Sequence, residues 1–143
     1  MDVLSESLKR VPILAALKPE HIDMLAKLVT NHTYNKGDVI IKQGDPGAGL
    51  FVILNGSVSV TAKTRPGLPE TKLSVLGKGD FFGEMSMIDG YPRSATVTAL
   101  AETQAVELDR WAFLDALRRE PSIAVAMLPV LTRRIRALEE AKR

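Results

Sequence analysis

The chain has 143 residues, 45% of them hydrophobic and 25% charged, enough for the buried core of one soluble globular domain. No run of about 18 apolar residues could span a membrane, and the start Met1-Asp2-Val3-Leu4-Ser5-Glu6 lacks the basic-then-apolar order of a secretion signal. The absence of cysteine excludes disulfides and thiolate metal sites and fits a cytoplasmic chain, while a net charge of +2 gives no argument for nucleic acid.

Lys18-Pro19-Glu20 marks a helix start, because proline at the first helical position lacks only an amide that has no partner there. Ile22, Leu25 and Val29 repeat at helical spacing, and the helix is expected to die out near Asn31. Short strands follow. Asn35-Lys36-Gly37-Asp38 is a turn ahead of Val39 and Ile41, and a looser glycine turn at residues 44–49 leads into Leu50-Phe51-Val52-Ile53-Leu54. Asn55-Gly56 is the pair favoured by a type I′ hairpin, so this run is expected to turn there into the alternating Val58, Val60 and Ala62. Residues 64–70, with Pro66, Gly67 and Pro69, form an exposed loop before the strand Leu73-Ser74-Val75-Leu76. Lys78-Gly79-Asp80 repeats the earlier Lys-Gly-Asp turn ahead of Phe81-Phe82, which points to a doubled β architecture.

The stretch Phe81-Phe82-Gly83-Glu84-Met85-Ser86-Met87-Ile88-Asp89-Gly90-Tyr91-Pro92-Arg93-Ser94-Ala95-Thr96-Val97 places one acid and one base among small residues that expose backbone. Met85 to Ile88 suit one short helical turn whose leading amides, behind Gly83, favour an anion. Gly90 and Pro92 suit a tight turn that returns the chain, so the Arg93 fork can grip two oxygens of one phosphate. Glu84 cannot share that phosphate, since like charges about 4 Å apart repel by about 4 kcal/mol at an effective dielectric of about 20. It is expected to accept a hydrogen bond from a neutral hydroxyl. An anion beside a hydroxyl describes a ribose phosphate. The bland alternative is a surface ion pair between Glu84 and Arg93, worth about 0–1 kcal/mol.

Beyond this stretch Ala95, Val97 and Ala99 alternate as a strand, then Val106 and Leu108, before Asp109 caps a helix marked by Phe113, Leu114 and Leu117 that stops by Pro121. Ala124, Leu128, Leu131, Ile135 and Leu138 draw an apolar stripe on a last helix, for packing on the barrel, on a protein partner or on a second copy. Pro129 lies inside the stripe and costs about 3 kcal/mol in a helix interior, so a kink or restart is expected there. Arg133, Arg134, Arg136, Lys142 and Arg143 outnumber Glu139 and Glu140, a solvated basic face. The order points to an antiparallel β-roll, or double-stranded jelly roll, with an N-terminal helix and two C-terminal helices. The expected division is one domain, with a helical part at 1–31, the roll at 32–109 carrying the special stretch 81–97, and closing helices at 110–143.

Residues 81–97 resemble the phosphate-binding cassette of the cyclic-nucleotide-binding domain family, of the type found in catabolite-activator regulators and protein kinase A regulatory subunits. Phe-Gly-Glu, a short apolar helix and Pro-Arg-Ser-Ala-Thr-Val stand in the family's order and spacing. The resemblance implies the same roll, a regulatory rather than enzymatic role, no cofactor, and cyclic AMP or cyclic GMP as ligand. It assigns the ribose 2′-hydroxyl to Glu84 and the cyclic phosphate to Arg93, with backbone at Gly83, Met85 and Ser86 completing the contacts. Ser94 would reach a phosphate oxygen or the base, and Ala95 leaves room beside it. In many relatives the final helix covers the base, which makes Thr132, Arg133 and Arg134 the cap candidates. Cyclic AMP is preferred, although a hydroxyl in the place of Ser94 is often linked to cyclic GMP.

Other readings compete. His21 and His32 are too few for a cupin-type metal enzyme, and no phosphate-loop, dinucleotide or nucleophile-elbow motif occurs. Met87 and Trp111 are expected in the core, and Met85 either there or against the ligand. The chain could be the regulatory part of a longer regulator, channel or kinase, or a degenerate roll kept for protein contacts. No helix-turn-helix follows Arg143, so nucleic acid is not an expected partner of this chain.

Overall fold

In the computed structural model, which describes residues 3–142, the chain opens with α1 (Val3–Arg10), a 3₁₀ turn at Pro12–Leu14 and α2 (Pro19–Ala26). Met1 and Asp2 of the expected N-terminal part, and Arg143 of the basic tail, lie outside the described residues. Eight strands follow: β1 (Thr30–Tyr34), β2 (Val39–Ile41), β3 (Gly49–Asn55), β4 (Ser57–Ala62), β5 (Thr71–Gly77), β6 (Phe81–Phe82), β7 (Thr96–Ala99) and β8 (Thr103–Asp109). A short helix, α3 (Glu84–Asp89), separates β6 from β7, and α4 (Arg110–Arg119) and α5 (Ser122–Ala141) close the chain. The strands form two four-stranded antiparallel sheets, ordered β1-β8-β3-β6 and β2-β7-β4-β5, which is the expected antiparallel β-roll with helices before and after it.

The repeated Lys-Gly-Asp turns are physically equivalent. Asp38 accepts from the Asn35 amide through its side chain at 2.8 Å, and Asp80 accepts from the Gly77 amide at 2.8 Å. The glycine of each turn takes a positive φ, and its amide donates to a strand carbonyl, Gly37 to Ala99 and Gly79 to Ile53. The aspartate carbonyls accept in return from Ala99 and Ile53. One turn therefore anchors each sheet.

Strand β3 lies at the centre of the molecule. Phe51 and Ile53 face the opposite sheet with Val58, Phe82, Val97 and Ala105, while Leu50 and Val52 join Leu8, Ile22, Leu25, Leu108, Phe113 and Ile123 beneath the helices. Burial on both faces explains why this run is continuously apolar instead of alternating.

Several expectations are corrected. Asn55-Gly56 does not close a hairpin: β3 and β4 belong to different sheets, and Asn55 pairs with Gln104 of β8. The positive φ of Gly56 serves a corner between sheets, packed so closely that a Cβ would lie 2.5 Å from Thr103 Oγ1. Helix α2 ends at Ala26, so Asn31 sits in a strand, and α1 is a further helix. Trp111 is 65% exposed, with the Arg110 guanidinium 5.1 Å from its ring, whereas Met87 is fully buried as expected. Helix α5 runs through Pro129 without a restart. The carbonyl that loses its bond belongs to Val125, exposed on the solvent side, where water can replace the missing amide. The buried face of α5 is Ile123, Met127 and Val130, while Leu128, Ile135 and Leu138 of the expected stripe are exposed.

Removing the turn carboxylates tests the doubled anchor. Asp80→Ala and Asp38→Ala should each lower the unfolding free energy in urea by about 1 kcal/mol, with the larger loss at half-buried Asp80.

Candidate functional site

Helix α3 is framed by two glycines in the left-handed region, Gly83 at φ 89° and Gly90 at φ 71°. The first ladder bond runs from the Met87 amide to the Gly83 carbonyl at 3.2 Å, so the amides of Glu84, Met85 and Ser86 have no acceptor within the helix. At the other end the Gly90 amide donates to Ser86, the Tyr91 amide to the Asp89 side chain at 2.9 Å, and Ser86 Oγ to the Tyr91 carbonyl at 3.1 Å. These bonds turn the chain back sharply. Arg93 is then clamped through its backbone: its amide donates to Asp45 and its carbonyl accepts from Gly44, both at 2.8 Å. Gly47 lies against the same turn, where a Cβ would come within 2.5 Å of Ser86 Oγ and the Tyr91 carbonyl.

The result is a buried cation. Arg93 is only 6% exposed, and its Nη1 makes one long hydrogen bond to the Gly83 carbonyl at 3.5 Å. Its Cζ lies 6.0 Å from the Phe51 ring centroid, and that ring is stacked on Phe82. The two ion pairs among the described residues are His32–Glu107 and Arg119–Asp115, so Arg93 has no carboxylate at ion-pair distance and does not pair with Glu84. Burial pushes the guanidinium below its ordinary pKa, and the field of Glu107 pulls it partly back. An uncompensated buried charge costs several kcal/mol, which a bound anion would offset.

Arg93 opens onto a cavity of about 300 Å³ between the 81–97 stretch and the second sheet. Its apolar wall comes from Ile41, Val60, Leu76, Phe82 and Val97, and its polar side from Glu84, Ser86, Arg93 and Ser94. A ligand with one flat apolar part and one anionic part matches this division.

All seven predicted ligand residues, Gly83, Glu84, Met85, Ser86, Arg93, Ser94 and Ala95, line this one cavity. Glu84 is half-buried, Ser94 exposed and Met85 61% exposed. Thr132, Arg133 and Arg134 are exposed on α5 and are not among its lining residues. Thr132 Oγ1 donates to the Leu128 carbonyl, and Arg134 lies on a neighbouring groove that Met85 also borders. The sequence reading missed the Gly44-Asp45 clamp, Phe51 beneath the guanidinium, and the wall residues. The glycine turn was visible as a turn, but only the fold shows that it grips Arg93. His21 is buried and His32 bonds Glu107, on separate elements.

Fold and site together are a β-roll with a buried arginine on a cavity that is part apolar and part polar. The chain belongs to the cyclic nucleotide-binding domain family, whose pattern it matches over residues 31–120. It is similar to a CRP-like cAMP-activated global transcriptional regulator of Mycobacterium tuberculosis, at 32% identity over 93% of this chain and 59% of that protein. It is also similar to the cyclic AMP receptor protein of Thermus thermophilus, at 35% identity over 90% of this chain and 59% of that protein. Among solved structures, the N-terminal domain of a transcriptional regulator from Streptomyces coelicolor A3(2) superposes with a TM-score of 0.85 at 34% identity, covering 99% of this chain and 96% of that one. The chain thus spans about three-fifths of the length of the two curated relatives. No helix among the described residues is long and apolar enough to cross a membrane.

Gly83 is the glycine on which this geometry turns. Gly83→Ala should destabilise the protein by more than the ~1–2 kcal/mol of left-handed backbone strain, because its Cβ would sit 2.6 Å from both Arg93 Nη1 and the Gly49 carbonyl. Gly67→Ala, with φ 84° and open space around it, should show the backbone strain alone, as read from urea denaturation of both variants.

Proposed function

We propose that this domain is a cyclic nucleotide sensor that prefers cyclic AMP and passes occupancy to its closing helices α4 and α5. The observation that carries the reading is Arg93, a buried guanidinium with no carboxylate at ion-pair distance, facing a cavity that also contains a half-buried carboxylate. The cyclic phosphate supplies the missing negative charge. Glu84 accepts the ribose 2′-hydroxyl, and the first-turn amides of α3, with the backbone at Gly83, bind the sugar and phosphate oxygens. Ser94 adds a hydroxyl at the exposed rim, and Ala95 admits the ligand to the backbone. The base lies along the apolar wall. Cyclic AMP is favoured over cyclic GMP because both curated relatives above carry cyclic AMP in their names.

Arg134 borders the groove on the far side of Met85, so Thr132, Arg133 or Arg134 reaches the base only if α5 moves. That movement is the output in this reading, and its size is limited by the ligand's differential affinity for the two arrangements. The exposed Leu128, Ile135 and Leu138 offer a surface for a protein partner or a second copy. The role is regulatory rather than catalytic. The domain would act as the sensing part of a larger soluble, cytoplasmic regulator, or alone.

Two substitutions separate the roles by titration calorimetry. Arg93→Leu should weaken cyclic AMP binding by roughly 2–5 kcal/mol, while the ligand-free protein becomes no less stable, since a buried unpaired charge has been removed. Undiminished binding removes Arg93 from the site. Glu84→Ala should weaken cyclic AMP by about 1.5–3 kcal/mol yet leave its 2′-deoxy analogue nearly unaffected. Equal losses for both ligands would show that the carboxylate does not receive the 2′-hydroxyl.

A further inference from the structure

Arg93 borders a second cavity, of about 280 Å³, which it shares with Tyr34, Lys42, Asp45 and Glu107. Glu107 is opposite Phe51 across the β3–β8 ladder, and Phe51 is the ring beneath the guanidinium. The carboxylate is held to one side. Its Oε1 lies 3.1 Å from His32 Nε2, which also contacts Thr30 Oγ1 at 3.1 Å. Its Oε2 lies beside Gly49, where an added Cβ would be 3.1 Å from that oxygen. The absence of a side chain at Gly49 makes this resting place available. Lys42 and Asp45 are both exposed and opposite in sign, so Glu107 is the partly buried charge that faces Arg93 across the second cavity.

We propose that Glu107 is an affinity-setting residue, an internal counter-charge that competes with the ligand phosphate for Arg93 and is restrained by His32. The inference rests on Arg93 receiving the phosphate, as set out above. In the free protein the carboxylate relieves part of the cost of the buried cation without forming an ion pair with it, and its field also reaches Arg93 and Tyr34. On binding, the phosphate and Glu107 compete for the same guanidinium, which lines both cavities, and that competition lowers affinity. His32 limits this penalty by keeping Oε1 turned towards β1. Without His32, the carboxylate is free to swing towards Arg93 and occupy it.

The substitutions therefore have opposite signs, which a merely structural role would not produce. Measured by calorimetry on the full chain, Glu107→Gln should tighten cyclic AMP binding by about three- to tenfold, and His32→Gln should weaken it by a similar factor. Adding Glu107→Gln to His32→Gln should abolish that weakening. Glu102→Gln, the same charge change at an exposed site, should leave Kd unchanged. In an Arg93→Leu background, Glu107→Gln should lose its effect on the residual affinity. A Glu107→Gln Kd within about twofold of wild type, a weaker one, or a tightening that survives without Arg93 overturns the counter-charge role while leaving nucleotide binding intact. Wild-type and Glu107→Gln proteins that both fail to take up cyclic AMP overturn the nucleotide reading and this inference with it.

Discussion

A guanidinium buried without a carboxylate partner is the constraint around which this domain is arranged. Arg93 is 6% exposed, and its guanidinium makes one long bond to Gly83 and lies over the face of Phe51. Neither matches the hydration that an arginine loses on burial. The strain is tolerated because the backbone leaves Arg93 little freedom: the Gly44-Asp45 turn holds it on both sides, and Gly83 and Gly90 fix the approach from α3. The stability of the roll holds this buried charge in place, which is the physical form that preorganisation for the proposed anion would take.

The two cores divide the work. The inter-sheet core of Phe51, Ile53, Val58, Phe82 and Val97 reaches the cavity through Phe82 and Val97, which line its wall. The larger core packs α1, α2, α4 and the first half of α5 on the outer face of β3 and β8, and Met87 joins α3 to it. A displacement of α3 is therefore felt where the closing helices rest. The Arg110 side chain adds a polar link, donating to the Ile88 carbonyl at the end of α3 from the start of α4. This physical continuity would carry the proposed coupling from ligand to helices, because packed elements shift between discrete arrangements instead of deforming smoothly.

Much of this was legible in the sequence wherever a local rule and the global fold agree. Gly83, Gly90 and Pro92 demanded the turn geometry found at α3, Asp109 caps α4 through the Trp111 amide, and the repeated Lys-Gly-Asp turns announced the doubling of the sheets. Local rules failed where tertiary context decided. Asn55-Gly56 has the conformation that a hairpin would use, yet the strands after it join the other sheet, which no two-residue signal encodes. Trp111 was expected inside and lies outside, since a large apolar ring can rest on an arginine at the surface. Pro129 costs one hydrogen bond but sits on the solvent side, so α5 continues through it. Within the site, the cassette residues could be read from their order, but the clamp on Arg93 and the carboxylate of Glu107 come from segments 48 residues before and 14 after it and converge only in the folded chain.

A crystal structure of the protein grown with cyclic AMP tests the central claim most directly. The account predicts cyclic phosphate oxygens within about 3 Å of the Arg93 guanidinium, with the ribose 2′-hydroxyl on Glu84. A nucleotide seated elsewhere, with Arg93 still turned only to the Gly83 carbonyl, would contradict it.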